Sequence, residues 1–261
     1  MKIVFLSDDF PPRSFGGAGF STYELALGMK KEGHEVFVIT TCRNRSEAGE
    51  MNYHGLRVFS IASDYPGKWR AYISIYNPMT VKRVEELLKE IKPDVVHANN
   101  IHLYLSYHCL KVSKQHAKVV IFTARDVMTF NFAKLTTKQY LEHFDSRTTW
   151  RDHLMQAKKR WNPLRNFLIK RYLRNTDKIF AVSDALRSAL LQNGIENIET
   201  MYTGIDADAW HIREHEVTLF RKKYNVGKRK VILFGGLHVP NFIAHIDRLR
   251  GMDIALFEDA F

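Results

Sequence analysis

The chain holds 261 residues, 45% of them hydrophobic and 26% charged, which suffices to bury a full core in one large domain or two modest ones and excludes a disordered or fibrous chain. A formal charge of +11 with its histidines neutral points to polyanionic company: nucleic acid, anionic lipid or phosphorylated substrates. No run reaches the roughly 18 apolar residues of a membrane span, and no zinc-ligand spacing or nucleic-acid-binding motif is present, which sets nucleic acid aside.

The first apolar run, Lys2 to Ser7, reads as a strand. It starts without the basic and apolar regions of a secretory leader, so a cytoplasmic location is expected, where Cys42 and Cys109 stay reduced as buried thiols. Behind the strand comes Phe10-Pro11-Pro12, then Gly16, Gly17 and Gly19, then a helical pattern over Ser21 to Glu32. A glycine loop that opens onto a helix N-terminus lets an anion such as a phosphate approach the backbone and meet partial positive charge. A dinucleotide fingerprint explains it poorly: Thr22 stands where the third glycine belongs, and Thr40-Thr41-Cys42 offers no acid for a ribose. A plain surface loop remains the alternative.

Further strands are read at Glu35 to Thr40, Leu56 to Ile61, Asp94 to Ala98, Val119 to Ala124, Lys178 to Ser183, Glu199 to Tyr202 and Lys230 to Phe234. Most are continuously apolar, as strands covered on both faces are. Helical patterns lie between them at Lys68 to Ile91, Leu103 to Gln115, Thr136 to Asn175 with a break near Pro163, and Asp184 to Asn193. The alternation predicts a doubly wound α/β fold, a Rossmann-like parallel sheet whose ligands bind beyond the carboxyl ends of the strands. Polar residues stand there: His97-Ala98-Asn99-Asn100, Arg125-Asp126, Ser183-Asp184 and Thr203-Gly204-Ile205-Asp206. His97 has two readings, a ligand-facing group or a core histidine satisfying its neighbours.

Between His153 and Thr176 lie seven lysines or arginines, Lys158, Lys159, Arg160, Arg165, Lys170, Arg171 and Arg174, and no acid. With Trp161, Leu164, Phe167, Leu168 and Tyr172 near helical spacing, this segment suits a basic amphipathic helix. Such a helix either packs on the sheet with a solvated basic face or lies on an anionic membrane surface.

The order of these motifs resembles the N-terminal half of family 4 glycosyltransferases: Phe10-Pro11-Pro12 to Gly19, Gly33-His34-Glu35-Val36, Lys92-Pro93-Asp94-Val95-Val96-His97-Ala98-Asn99-Asn100, Phe180-Ala181-Val182-Ser183 and Thr203-Gly204-Ile205-Asp206. The resemblance implies one lobe of a GT-B fold. Its N-terminal domain, residues 1–227, would bind the acceptor, and residues 228–261 would begin a second domain that binds a nucleotide sugar, a UDP- or GDP-sugar. It implies retaining transfer to a glycan or lipid-linked acceptor, with a nucleotide-sugar substrate but no cofactor and no metal, on the inner face of the plasma membrane. It also implies roles: Asp126 catalytic; Gly16, Gly17, His97, Asn99, Arg125 and Asp206 substrate-binding; Arg250 at the donor phosphate.

Two positions depart from the family pattern. Thr123-Ala124-Arg125-Asp126 carries arginine where members commonly have Thr-x-His-Asp, and Thr203 replaces an asparagine. Arginine is no base but holds phosphate or sugar oxygens well. By the same resemblance, Lys230 to Leu237 reads as the first strand of the donor domain and Arg250 to Leu256 as the start of its next helix. The E-x7-E pair expected there is absent; Glu24 and Glu32 show that spacing on the first helix, where it marks a solvated face. A strand at Val231 to Phe234 would then lack neighbours, so the expectation is an acceptor lobe with an incomplete donor lobe, completed by another chain or inactive alone.

Overall fold

A computed structural model of the chain describes residues 1–14, 16–206, 213–235 and 254–259. Two compact units are present, Met1–Ile205 and Asp206–Phe261.

The first unit is built on an eight-stranded sheet of β1 (Lys2–Ser7), β2 (Glu35–Cys42), β3 (Gly49–Tyr53), β4 (Leu56–Ala62), β5 (Val95–Asn99), β6 (Val119–Ala124), β7 (Lys178–Ala181) and β8 (Ile198–Thr200), in the order β3-β4-β2-β1-β5-β6-β7-β8. All neighbours run parallel except the β3–β4 pair. Side chains alternate between two cores: Val4, Leu6, Phe37 and Ile39 face one, Ile3, Phe5, Val36 and Val38 the other. Both faces are therefore apolar, which is why these strands read as unbroken hydrophobic runs.

Helix α1 (Gly17–Lys31) covers one face through Ala26. It starts four residues before the predicted helix, because glycine is tolerated in the first turn, where amides have no intrahelical partner. The predicted helix at 68–91 is split into α2 (Arg70–Ile73) and α3 (Val81–Ile91). Pro78 breaks the backbone ladder, and Asn77 caps the break, its Oδ1 accepting from Met79 N at 3.0 Å. Val81, Val84, Leu87, Leu88 and Ile91 then recur at helical period and are all buried. The remaining helices of this unit are α4 (His108–His116), α5 (Lys138–His143), α6 (Trp150–Ala157), α7 (Arg165–Leu173) and α8 (Asp184–Gln192).

Edge strand β3 has no counterpart among the predicted elements. It hairpins onto β4 through His54-Gly55, both at positive φ, a turn whose signal is usually Asn-Gly or Asp-Gly.

The 153–176 segment is two helices joined by a short 3₁₀ turn at Lys158–Arg160, and it packs on the sheet through Ile169 and Leu173. Arg165, read as part of a solvated basic face, is instead buried. Leu164 and Phe167 remain 61% and 66% exposed.

The second unit contains α9 (Glu214–Lys223), β9 (Lys230–Gly235) and β10 (Ile254–Asp259). The stretch 250–256 was expected to open a helix, but from Ile254 onward it is strand, paired in parallel with β9 from Ile254↔Lys230 to Asp259↔Gly235. Strand β9 therefore has a neighbour, correcting the expectation that it would stand alone: Ile254-Ala255-Leu256-Phe257 is an apolar run as compatible with a buried strand as with a helix. Arg250, the expected donor-phosphate residue, lies outside the described residues.

Candidate functional site

The sheet order reverses beside β1, which has β2 on one side and β5 on the other. In doubly wound sheets that switch point opens a crevice beyond the carboxyl ends of the strands, and the chain places its polar residues there.

The glycine loop and the start of α1 form one edge. Gly16 is the extended N-cap, with no side-chain cap on the helix and no acid in its first turn, so the terminal amides carry partial positive charge, with the Asp9 carboxylate beside Gly19 as the nearby acid. A Cβ built on Gly16 or Gly17 meets nothing within 4 Å, whereas one on Gly19 would come 2.2 Å from Ser14 Oγ and 3.0 Å from Asp9 Oδ2. Gly19 is thus demanded by packing. Gly16 and Gly17 are not, and the open space over their backbone is available to an incoming group.

Beyond β5 and β6, Asn99 is buried and its Oδ1 accepts from Arg125 Nη2 at 3.2 Å, while Arg125 Nη1 donates to Thr203 Oγ1 at 3.4 Å. The Arg125 guanidinium is partly buried, and burial lowers its pKa. Asn99 Nδ2 and Arg125 Nε are buried without a hydrogen-bond partner among the described residues. A ligand oxygen is the kind of acceptor both would take.

Asp126 caps the turn Val127–Thr129, its Oδ1 accepting from Met128 N at 2.8 Å. Its Oδ2 lies 3.5 Å from His102 Nε2, and its side chain is 43% exposed, enough to meet a substrate. His102 is buried, which pushes its pKa down to about 4 against the pull of Asp126; the imidazole is neutral at ordinary pH. Arg165 donates to Met128 O at 2.5 Å and to Asn131 O at 3.3 Å. Arg70 donates to Phe132 O. Both guanidinium groups thus hold the loop that carries Asp126 and add positive potential near it.

His97 sits within β5, not at its end. Its Nε2 lies 2.8 Å from Thr123 Oγ1 on β6, its ring is 5.4 Å from that of Phe5, and burial with Arg125 nearby drives its pKa down to about 3. It is a neutral histidine locked between strands. Asp206 is half-buried and is the first residue of the second unit.

Asp8 and His102 were not anticipated. Asp8 follows the first strand, and His102 lies between the Asn99-Asn100 strand end and the helix predicted from Leu103. Asp8 is buried, with Oδ2 accepting from Leu103 N at 2.7 Å and Oδ1 from Tyr104 N at 2.8 Å and Leu105 N at 2.7 Å. These bonds satisfy three successive amides of the loop that precedes α4, which begins at His108 rather than at Leu103. A signal was available: a carboxylate at a strand end facing a stretch without its own cap.

Among the described residues no group of three or more His, Cys, Asp or Glu could hold a metal ion, and no helix is long and apolar enough to cross a membrane. Cys42 and Cys109 are buried free thiols.

A doubly wound lobe with polar strand ends gathered at its switch point belongs to the class of α/β folds that bind ligands at that rim. The sequence profile of Glycosyltransferase Family 4 matches residues 15–209, and the chain belongs to that family. An uncharacterized 42.6 kDa protein in the cps region of Klebsiella pneumoniae is 26% identical over 140 residues, covering 48% of this chain and 37% of that protein. Among solved structures, Anabaena HepE in complex with UDP and glucose superposes with a TM-score of 0.58 at 17% identity, over 99% of this chain and 60% of that one. Sucrose-phosphate synthase from Thermosynechococcus elongatus gives a TM-score of 0.60 at 12% identity, over 99% and 70%. These likenesses show the fold, that of GT-B glycosyltransferases. The chain spans 37% of the curated relative and 60% of the HepE chain.

Proposed function

We propose that the protein transfers a sugar from a nucleotide-sugar donor to a glycan or lipid-linked acceptor with retention of anomeric configuration, and that Met1–Ile205 supplies the acceptor-binding lobe. The observation that carries this reading is the shared rim, in a family 4 chain, of an open glycine backbone at a helix N-terminus, a guanidinium with an unpartnered Nε, and a half-exposed carboxylate. The amides of α1 and Arg125 would stabilise the charge of a departing diphosphate without a metal. Asp126, the catalytic group in this reading, would accept a hydrogen bond from a reacting sugar or acceptor hydroxyl. Asn99 would fix substrate oxygens with Arg125, and His97 would keep both strands in register beneath them. Asp206 is assigned to substrate binding and Arg250 to the donor phosphate. The UDP and glucose bound by HepE and the cps region of the Klebsiella protein support a UDP-sugar and a polysaccharide acceptor.

Exposed Leu164 and Phe167 on α7 and its approach, with Arg160, Arg171 and Arg174 on the same segment, support a cytoplasmic protein that docks peripherally on anionic lipid to meet its acceptor. The test is transfer by the purified chain from a panel of UDP- and GDP-sugars, with binding of the same nucleotides followed by calorimetry. Transfer or micromolar binding supports the reading. A folded chain that binds no nucleotide at millimolar concentration would instead favour a lobe that holds the acceptor and takes its donor site from another chain.

A further inference from the structure

Among the buried groups that the proposed chemistry does not use, Asp8 stands out because its links lead to Asp126, the carboxylate proposed as catalytic. The end of β1 is joined to the loop after β5 at both levels of the backbone. Asp8 N donates to Asn100 O at 3.0 Å, and the Asp8 carboxylate accepts three successive amides, those of Leu103, Tyr104 and Leu105. Thr41 on β2 fixes Asp8 from the other side, its Oγ1 donating to Asp8 O at 2.5 Å. The loop is held bent between Asn100 and Ser106, non-glycine residues at φ 46° and 97°, a conformation that costs free energy and persists only where its surroundings impose it. His102 lies inside this bend, with Nε2 facing Asp126 Oδ2 at 3.5 Å.

We infer that Asp8 is a positioning residue: through the amides of Leu103 to Leu105 it sets His102 against Asp126, and so fixes the orientation in which Asp126 meets substrate. The need follows from the exposure of Asp126. One oxygen is tied to Met128 N, but a half-exposed carboxylate held by one bond swings about it unless a second wall stands behind the other oxygen. A buried neutral imidazole on a pinned loop is that wall. Loops do this work poorly by themselves, and a carboxylate with three amide donors gives the bend the rigidity of a strand end. Asp9 is the charged group that acts on Asp8, and Tyr65, Tyr104, Tyr107 and Cys109 are titratable groups on which Asp8 acts, while Asp126, Arg165, Arg70 and Asp9 act on His102.

The inference rests on the proposed transfer reaction for its catalytic half, and the test separates the two. The ring resonances of His102, assigned by their loss in H102Q, are followed by ¹⁵N NMR in the unmodified chain, D8N and D126N. D126N is expected to shift them directly, and D8N to shift them through the loop while leaving those of His97 in place. In the unmodified chain, the amide resonances of Leu103 to Leu105 and the His102 ring are expected to titrate together with Asp8, whose pKa burial raises to about 7. This second measurement holds if D8N folds poorly. A His102 ring that ignores both D8N and the Asp8 titration overturns the positioning role whatever the activity. In transfer assays, D8N and H102Q are each expected to lower kcat by about tenfold to a hundredfold with KM little changed, and the double variant by no more than the worse single. Additive losses would overturn the shared path. No transfer by the unmodified chain from any nucleotide sugar would count against the reaction and leave the NMR result to decide the positioning.

Discussion

Adding one methyl group at Gly17 separates the two reasons a loop contains glycine. The Cβ of G17A meets no heavy atom within 4 Å and the residue already opens α1, so alanine fits the backbone without strain. Its effect is to restrict the unfolded chain, which stabilises by about 0.4–1 kcal/mol, or about 1–4 °C in melting temperature for a domain of this size. G19A has the opposite sign. Its methyl would lie 2.2 Å from Ser14 Oγ, displacing a hydroxyl that donates to Asp9 Oδ2 at 2.8 Å or to Gly16 O at 3.0 Å. Losing those bonds costs about 1–3 kcal/mol, only partly offset by the entropic gain. Thermal melts by circular dichroism measure both, and calorimetry with UDP-glucose reads the site. G17A is expected to melt at or above the parent and to bind nucleotide at least about tenfold more weakly, equivalent to about 1.4 kcal/mol. A G17A chain that melts several degrees lower would refute the claim that the fold leaves this space open. Undiminished binding in a stable G17A would refute the claim that a ligand uses it.

Leu88 on α3 is fully buried, and L88A should lose about 2–5 kcal/mol in urea unfolding as a transfer and cavity cost, whereas K89A beside it should change little. Acid should destabilise the chain well above the carboxylate range. His97 and His102 have folded pKa values of about 3 and 4 against 6.5 when free, so the unfolded state takes up their protons as pH falls below 6.5 and their contribution to stability is lost. Asp8, raised to about 7, works the other way in the same window and offsets one of the two histidines, while His108 and His153, also lowered by burial, add to the loss; the expected outcome is lower stability at pH 5 than at pH 7, which urea titrations at the two pH values check, and a flat profile would contradict the neutral, buried state of these histidines. For the membrane surface, replacing Leu164 and Phe167 together by serine should reduce sedimentation with phosphatidylglycerol vesicles several-fold without altering the melt, since both side chains are exposed.

Much of the fold could be read from residue order because the parallel sheet writes itself as apolar runs: Lys2–Ser7 and Val119–Ala124 were predicted with the boundaries observed. The ends of helices were less legible. The loop before α4 is tied down by Asp8, 96 residues before Tyr104 in the chain, and the interruption at Asn77-Pro78 involves a side chain that reaches Ser63 Oγ at 2.9 Å. The strand at Ile254–Asp259 was mistaken for a helix because a short apolar run carries no period that distinguishes the two. Within the site, Asn99, Arg125 and Asp126 were found from their places after strands, and the rim does hold them. His97 was visible for the same reason, yet it lies within the strand and faces Thr123.

The sequence by itself determined that this is a doubly wound family 4 glycosyltransferase lobe, because strand periodicity, a glycine loop and the ordered strand-end motifs are local properties that one-dimensional reading preserves. Only the tertiary structure decided which polar groups meet. Asp8 reaches the amides of Leu103 to Leu105, and His102 reaches Asp126, because β1, β5 and β6 lie side by side in the sheet. Residues far apart in the chain become hydrogen-bond partners there. The burial that neutralises the histidines is likewise a property of the packed core, which no spacing along the chain encodes.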